Sequence, residues 1–147
     1  MTKKKSTLII TGILLVAIVL LLIFSPILKS KPDKIEPGVT YQGTITAKDP
    51  IDSFDKYYRR HTYSLTVAVD TTYEFEVSSL SDNSIILVFE YYEGKRIHIL
   101  SAPANHSRTT DHHFVSAGLK IIWVEALYNE CPADYSLRVT LIEGEDS

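Results

Sequence analysis

The sequence predicts an all-β protein, an antiparallel two-sheet sandwich of about eight strands, preceded by one transmembrane α-helix. Two observations carry the sandwich. From Val39 onward, apolar residues recur with period two in short runs. Turn residues separate those runs, the pattern of half-buried antiparallel strands, and no helical repeat or low-complexity tract competes with it. A third observation carries the helix. No charged residue lies between Lys5 and Lys29, and "TLIITGILLVAIVLLLIFSPIL" is long enough to cross a hydrocarbon core of about 30 Å.

In chain order, residues 1–6 read as a cytoplasmic head and 7–28 as a transmembrane signal anchor. Residues 29–38 follow as a polar stalk with Pro32 and Pro37, then 39–143 as the sandwich and 144–147 as an acidic tail. A cleaved secretory signal is the competing reading of the apolar run. It fits the basic start, but the run exceeds a usual signal core and no A-x-A-like site follows it. Lys3, Lys4 and Lys5 face Lys29, Lys31 and Lys34 across the span, and Asp33 and Glu36 dilute only the second group. The expected location is therefore the cell membrane, single-pass, with the C-terminal domain outside the cytoplasm.

The first strand is "VTYQGTIT" (39–46). The second, "HTYSLTVAV", puts His61, Tyr63, Leu65, Val67 and Val69 on one face. "TTYEFEV" turns Tyr73, Phe75 and Val77 inward and Glu74 and Glu76 outward. "SIILVFEYY" is apolar on both faces and should be central, with "KRIHIL" following the Glu93-Gly94 turn as a hairpin partner. "HHFVS", "LKIIWVEALY" and "DYSLRVTLIE" complete the set, the last with Tyr135, Leu137, Val139 and Leu141 facing the core.

Charge divides sharply along the 147 residues. Residues 1–36 carry six lysines and two acids, whereas the rest carries nine basic and sixteen acidic residues. The basic arm suits anionic headgroups of a lipid bilayer, and the acidic remainder excludes nucleic acid as a natural partner. Cys131 is the single cysteine, so no disulfide closes within the chain; an intermolecular one at Cys131 is the remaining possibility.

The order of motifs resembles the bacterial pre-peptidase C-terminal domain, a small β-sandwich appended to many secreted proteins. The resemblance spans Gly38 to Glu143 and rests on "GTIT", on acids leading into "YSLTVAVDTTYEFEVSSLSDNSIILVFEYYEGKRI", on "FVSAGLKIIWVEAL" and on "ADYSLRVTL". It implies a non-catalytic accessory or binding sandwich and names no ligand. The chain departs from the family pattern at "FDKYYRRH", inserted between the acids and the aromatic strand.

Candidate chemistry is sparse. Asp49, Asp52 and Asp55 lack the alternate spacing, central Gly and closing Glu of an EF-hand loop. They read as a capped helical turn, with Asp49 at the cap, Pro50 at the first helical position, and Ile51, Phe54 and Tyr58 facing the sandwich. A loose Ca²⁺ site and a catalytic carboxylate pair are the other readings. Asp111, His112 and His113, with His98 and His106, invite a zinc reading, yet neighbours on a strand point to opposite faces. No catalytic or cofactor fingerprint occurs, so the expectation is no enzyme, no cofactor and no metal. Asn105 opens the tripeptide Asn-His-Ser of a possible glycosylation site. Tyr57, Arg59 and Arg60 are expected at the rim of an acidic sandwich as a contact surface for a protein or glycan. The leading expectation is a binding or accessory module. Its rival is a structural subunit of a pilin-like or cell-surface assembly, although "KKKSTLII" lacks the prepilin processing pattern.

Overall fold

The alternating strands close into two stacked sheets because each has one apolar face to bury. In the computed structural model, which describes residues 31–52, 55–91 and 95–142, nine strands are present. They are β1 (Asp33–Lys34), β2 (Thr40–Ile45), β3 (Tyr58–Val67), β4 (Thr71–Ser79), β5 (Ile85–Tyr91), β6 (Lys95–Ala102), β7 (Ser107–Phe114), β8 (Gly118–Leu127) and β9 (Ala133–Ile142). One sheet has the order β1-β3-β8-β5-β6 and the other β2-β9-β4-β7. The head 1–6, the apolar segment 7–28, the tail 144–147, Phe54 and the Glu93-Gly94 turn lie outside the described residues. Among the described residues, no helix is long and apolar enough to cross a membrane.

The core fills the space between the sheets. Tyr63, Leu65 and Val67 of β3 and Ile122, Val124 and Ala126 of β8 face Tyr73, Phe75 and Val77 of β4 and Tyr135, Leu137 and Val139 of β9. Phe75 packs edge-on against both Phe89 and Phe114, at 4.9 and 6.4 Å between ring centres. Such pairs add about 1 kcal/mol each beyond area burial. The apolar run of β5 is central in its sheet as expected, with Ile85, Leu87, Val88 and Phe89 all buried.

Two strands depart from the sequence reading. Asp33 and Lys34, inside the expected stalk, pair in parallel with Tyr63 and Ser64, and Ile35 is 1% exposed in the core. The sandwich thus begins before Val39. One apolar residue among charges gives no periodicity, so nothing local marks it. Ile35→Val is expected to cost about 1 kcal/mol, read as a lower urea midpoint at constant m. The second departure is β7, which starts at Ser107 rather than His112. β7 is an edge strand and its first five residues are largely solvated, so backbone pairing with β4 is what makes them a strand. Val69 and Leu141, expected inside, are 60% and 43% exposed: Val69 lies past the end of β3, and Leu141, though paired with Tyr73 of β4, lies past the last β9 residue paired with β2.

Candidate functional site

Among the described residues, those from Asp49 to the start of β3 do not form a helical turn. Pro50 to Asp52 instead run antiparallel to the start of β3: Ile51 bridges Arg59, Asp52 N–H donates to Tyr58 O (3.1 Å) and Arg60 N–H donates to Pro50 O (3.1 Å). Ile51 consequently points outward, 53% exposed. The backbone groups of Tyr58 to Arg60 find strand partners here, which outweighs the local preference of Asp-Pro for a helix start.

The three aspartates serve three separate ends. Asp49 Oδ2 accepts from Thr46 N–H (2.6 Å) and Thr46 Oγ1 (3.0 Å), closing the turn after β2. Asp55 Oδ1 accepts from Tyr57 N–H (3.0 Å) in a local Asx turn. Asp52 is 2% exposed and is laid onto the outer face of the β3-β8-β5-β6 sheet. Among the described residues, no group of three His, Cys, Asp or Glu is placed to hold a metal ion.

Beneath Asp52 lies a buried ionic cluster. Arg60 Nη1 donates to Asp52 Oδ1 (3.0 Å), Arg96 Nη1 is 3.8 Å from Asp52 Oδ2, and Arg96 Nη2 donates to Glu125 Oε2. Glu125 is fully buried on β8, directly across from Arg60 on β3. Its second oxygen, Oε1, has no hydrogen-bond partner among the described residues. Burial pushes the Glu125 carboxyl up to about 7 against the pull of Arg96, and Asp52 adds to the rise. Arg60 also stacks on Trp123 (4.2 Å to the ring centre) and Arg96 on Tyr58 (4.8 Å). Arg60, expected at the rim, is instead held under the insertion with its side chain 17% exposed. Asp52 needs a cation once it leaves water.

The rim itself is formed by other residues. Tyr128 N–H donates to Tyr57 O (2.7 Å), tying the insertion to the turn after β8. Tyr57 and Tyr128 are 63% and 51% exposed. Arg59 stacks on Tyr128 (4.6 Å) and donates from Nε to Ala47 O (3.1 Å), so its guanidinium is fixed beside the Tyr128 ring. Lys56 Nζ sits 5.4 Å from the Tyr57 ring centre. Tyr128 escaped the sequence reading because it looked like the last residue of an apolar strand. Its place in the turn comes from the single 3₁₀ turn Tyr128–Glu130.

One arrangement has the outline of a hydroxyl–imidazole–carboxylate relay. Tyr135 Oη lies 2.7 Å from His61 Nδ1, and His61 Nε2 lies 3.4 Å from Asp49 Oδ2. Tyr135 also bonds the Tyr63 hydroxyl, is wholly buried, and has Gly43 against its ring. Burial pushes its hydroxyl far above the ordinary phenol range. A group that no substrate atom can reach is structural, and the relay serves to satisfy buried polar atoms.

Of the remaining sequence candidates, Cys131 adjoins the rim at the end of the Tyr128–Glu130 turn, whereas Asn105, His112 and His113 lie on other elements. Asn105 occupies the β6–β7 turn at φ 56 and donates from Nδ2 to Asp82 Oδ1 (2.6 Å). Cys131 is half-buried and its Sγ donates to Leu127 O (3.4 Å); burial raises its thiol pKa. His113 approaches Asp70 Oδ1 (3.4 Å) on the surface, while His112 packs on Phe89 and Phe114. The two histidines do not converge.

The fold is that of known β-sandwich domains. The chain is similar to the pre-peptidase C-terminal domain of a Bacillus anthracis collagenase, with TM-score 0.55 and 15% identity over 76% of this chain and 97% of that one. It is also similar to Aeromonas hydrophila PliG, a periplasmic inhibitor of g-type lysozyme, with TM-score 0.51 and 12% identity over 76% and 96% of the two chains. No protein-family model matches the chain, and no curated protein matches it by sequence. The resemblance read from "GTIT" and "ADYSLRVTL" therefore holds at the level of the fold.

Proposed function

We propose that this chain is a single-pass membrane protein displaying a non-catalytic binding sandwich outside the cytoplasm, with Tyr57, Arg59 and Tyr128 as its contact surface. The observation that carries the reading is a pair of exposed tyrosines whose backbones are joined by a hydrogen bond, one of them carrying a stacked arginine. Tyr and Arg dominate binding energy where they are held rigid, because little entropy is lost when a partner docks. Arg59 and Lys56 place two cations at this rim of an acidic domain, with Asp55 and Glu130 beside them. The partner that fits is a protein or surface polymer offering acidic groups beside planar or apolar surface. Use of the same fold by the Aeromonas protein as a lysozyme inhibitor supports a protein partner. The uncharged run 7–28 and the lysines before it support the anchor.

An array of anionic and neutral surface polymers and secreted hydrolases, probed with the chain and with Tyr57→Ala/Tyr128→Ala, tests the surface. Both rings are exposed, so the variant should melt within about one degree of the parent while its binding falls at least about tenfold. Undiminished binding places the contact elsewhere. Protease added to intact cells should remove the sandwich and spare the anchor; protection of the sandwich reverses the topology.

A further inference from the structure

At the opposite edge of the sandwich, strands β6 and β7 face one another with no strand joining the two sheets. A cleft of about 230 Å³ opens there. Phe89, Phe114 and Ile97 form its apolar walls, Val115 stands at its mouth 72% exposed, and His112 and Lys120 reach into it. Its size is below the roughly 300–1,000 Å³ of sites for drug-sized ligands, so it fits a single ring or a short branched chain.

Lys120 gives the cleft its chemistry. It lies on the core-facing side of β8, in line with Ile122 and Val124, and is half-buried. Its ammonium sits 5.6 Å from the Phe114 ring centre and donates to Ser116 Oγ (3.2 Å). Among the described residues it forms no ion pair. The other ionisable groups lining the cleft, among the described residues, are His112 and His113. His113 is turned to Asp70 and to Thr72 Oγ1 (3.1 Å), and desolvation, His113 and Lys120 all lower the pKa of His112, keeping it uncharged at neutral pH. A half-buried ammonium over an aromatic wall, next to a neutral imidazole that can donate a hydrogen bond, is complementary to a carboxylate joined to an apolar group.

We propose that this cleft binds a small apolar monocarboxylate, its ring or branched chain against Ile97, Val115 and the outer edge of the Phe89–Phe114 pair and its carboxylate on Lys120 with His112 beside it. The site is independent of the tyrosine rim.

The test uses the full chain in mild detergent, titrated with 3-phenylpropanoate and separately with the neutral 3-phenylpropan-1-ol, and followed by NMR of the histidine and phenylalanine rings. The acid should shift His112 and Phe114, bind at least about tenfold more tightly than the alcohol, and raise the His112 pKa as its carboxylate arrives. Lys120→Gln should lose about tenfold in affinity for the acid and none for the alcohol, and Lys120→Arg should restore part of it. Val115→Glu, at an exposed position, should repel the acid without disturbing the fold, which keeps the test decisive if Lys120→Gln does not fold. Equal binding of acid and alcohol, or shifts confined to other residues, overturns the proposal.

Discussion

Replacing Arg96 by Met should destabilise the sandwich by about 3–5 kcal/mol at pH 8, the range for removing one partner of a buried ion pair. Arg96 is the only cation within hydrogen-bonding distance of Glu125 among the described residues, and it also reaches Asp52. Without it, Glu125 must either stay ionised in an apolar sheet face or take up a proton. The wild-type carboxyl is already pushed up to about 7, whereas a free glutamate ionises near 4.5. A raised folded pKa means that this group's contribution is fully present below about 4.5 and is lost as pH rises through 7. The loss amounts to at most about 3 kcal/mol across that window. Arg96→Met should extend the fall to higher pH, and Glu125→Gln should flatten it. Urea unfolding at pH 5, 6, 7 and 8 separates the two variants. A stability curve for Glu125→Gln that tracks the wild type throughout contradicts the role given to Glu125.

Gly43→Ala is expected to cost about 3 kcal/mol through overpacking. An added Cβ would stand 2.7 Å from Tyr135 Oη and 2.9 Å from its Cζ, and Tyr135 cannot swing away. Its hydroxyl is held by Tyr63 and His61 and its ring by the core between β2, β9 and β3. Tyr135→Phe alone should cost about 1–3 kcal/mol, since it leaves the Tyr63 hydroxyl short of a partner in a buried site. The double variant should be less destabilised than the sum, because losing the hydroxyl removes the nearest clash. Strict additivity in urea midpoints contradicts the contact between Gly43 and Tyr135.

The strands that could be read from the sequence are those whose own side chains alternate. β4 and β9 show this most plainly, with Tyr73, Phe75 and Val77 and then Tyr135, Leu137 and Val139 inward. β1 and the first half of β7 were not legible, because backbone pairing with β3 and β4 creates them and neither buries a row of apolar residues. The ionic cluster was half legible. Glu125 in "IIWVEAL" is an acid within an otherwise apolar strand, and such a residue must find a cation if the strand is central. Which cations it finds was not legible, since Arg60 and Arg96 are brought to it from β3 and β6 by the sheet order. The same cluster explains why Arg60 leaves the rim that Tyr57 and Arg59 keep. Along β3 successive residues alternate faces, so Arg59 goes to the open end and Arg60 to the covered sheet. Tyr128 joins them through the 2.7 Å bond to Tyr57 O, a contact between residues distant in sequence.

The most direct measurement is an NMR titration of the isotopically labelled chain with whichever array component it retains. Binding at the rim should move the resonances of Tyr57, Arg59 and Tyr128 first and furthest, and leave the polar outer face of β4 and β9, around Glu76 and Arg138, unmoved. Perturbations centred on Glu76 and Arg138, with Tyr57 and Tyr128 unaffected, would contradict the assignment of the contact surface.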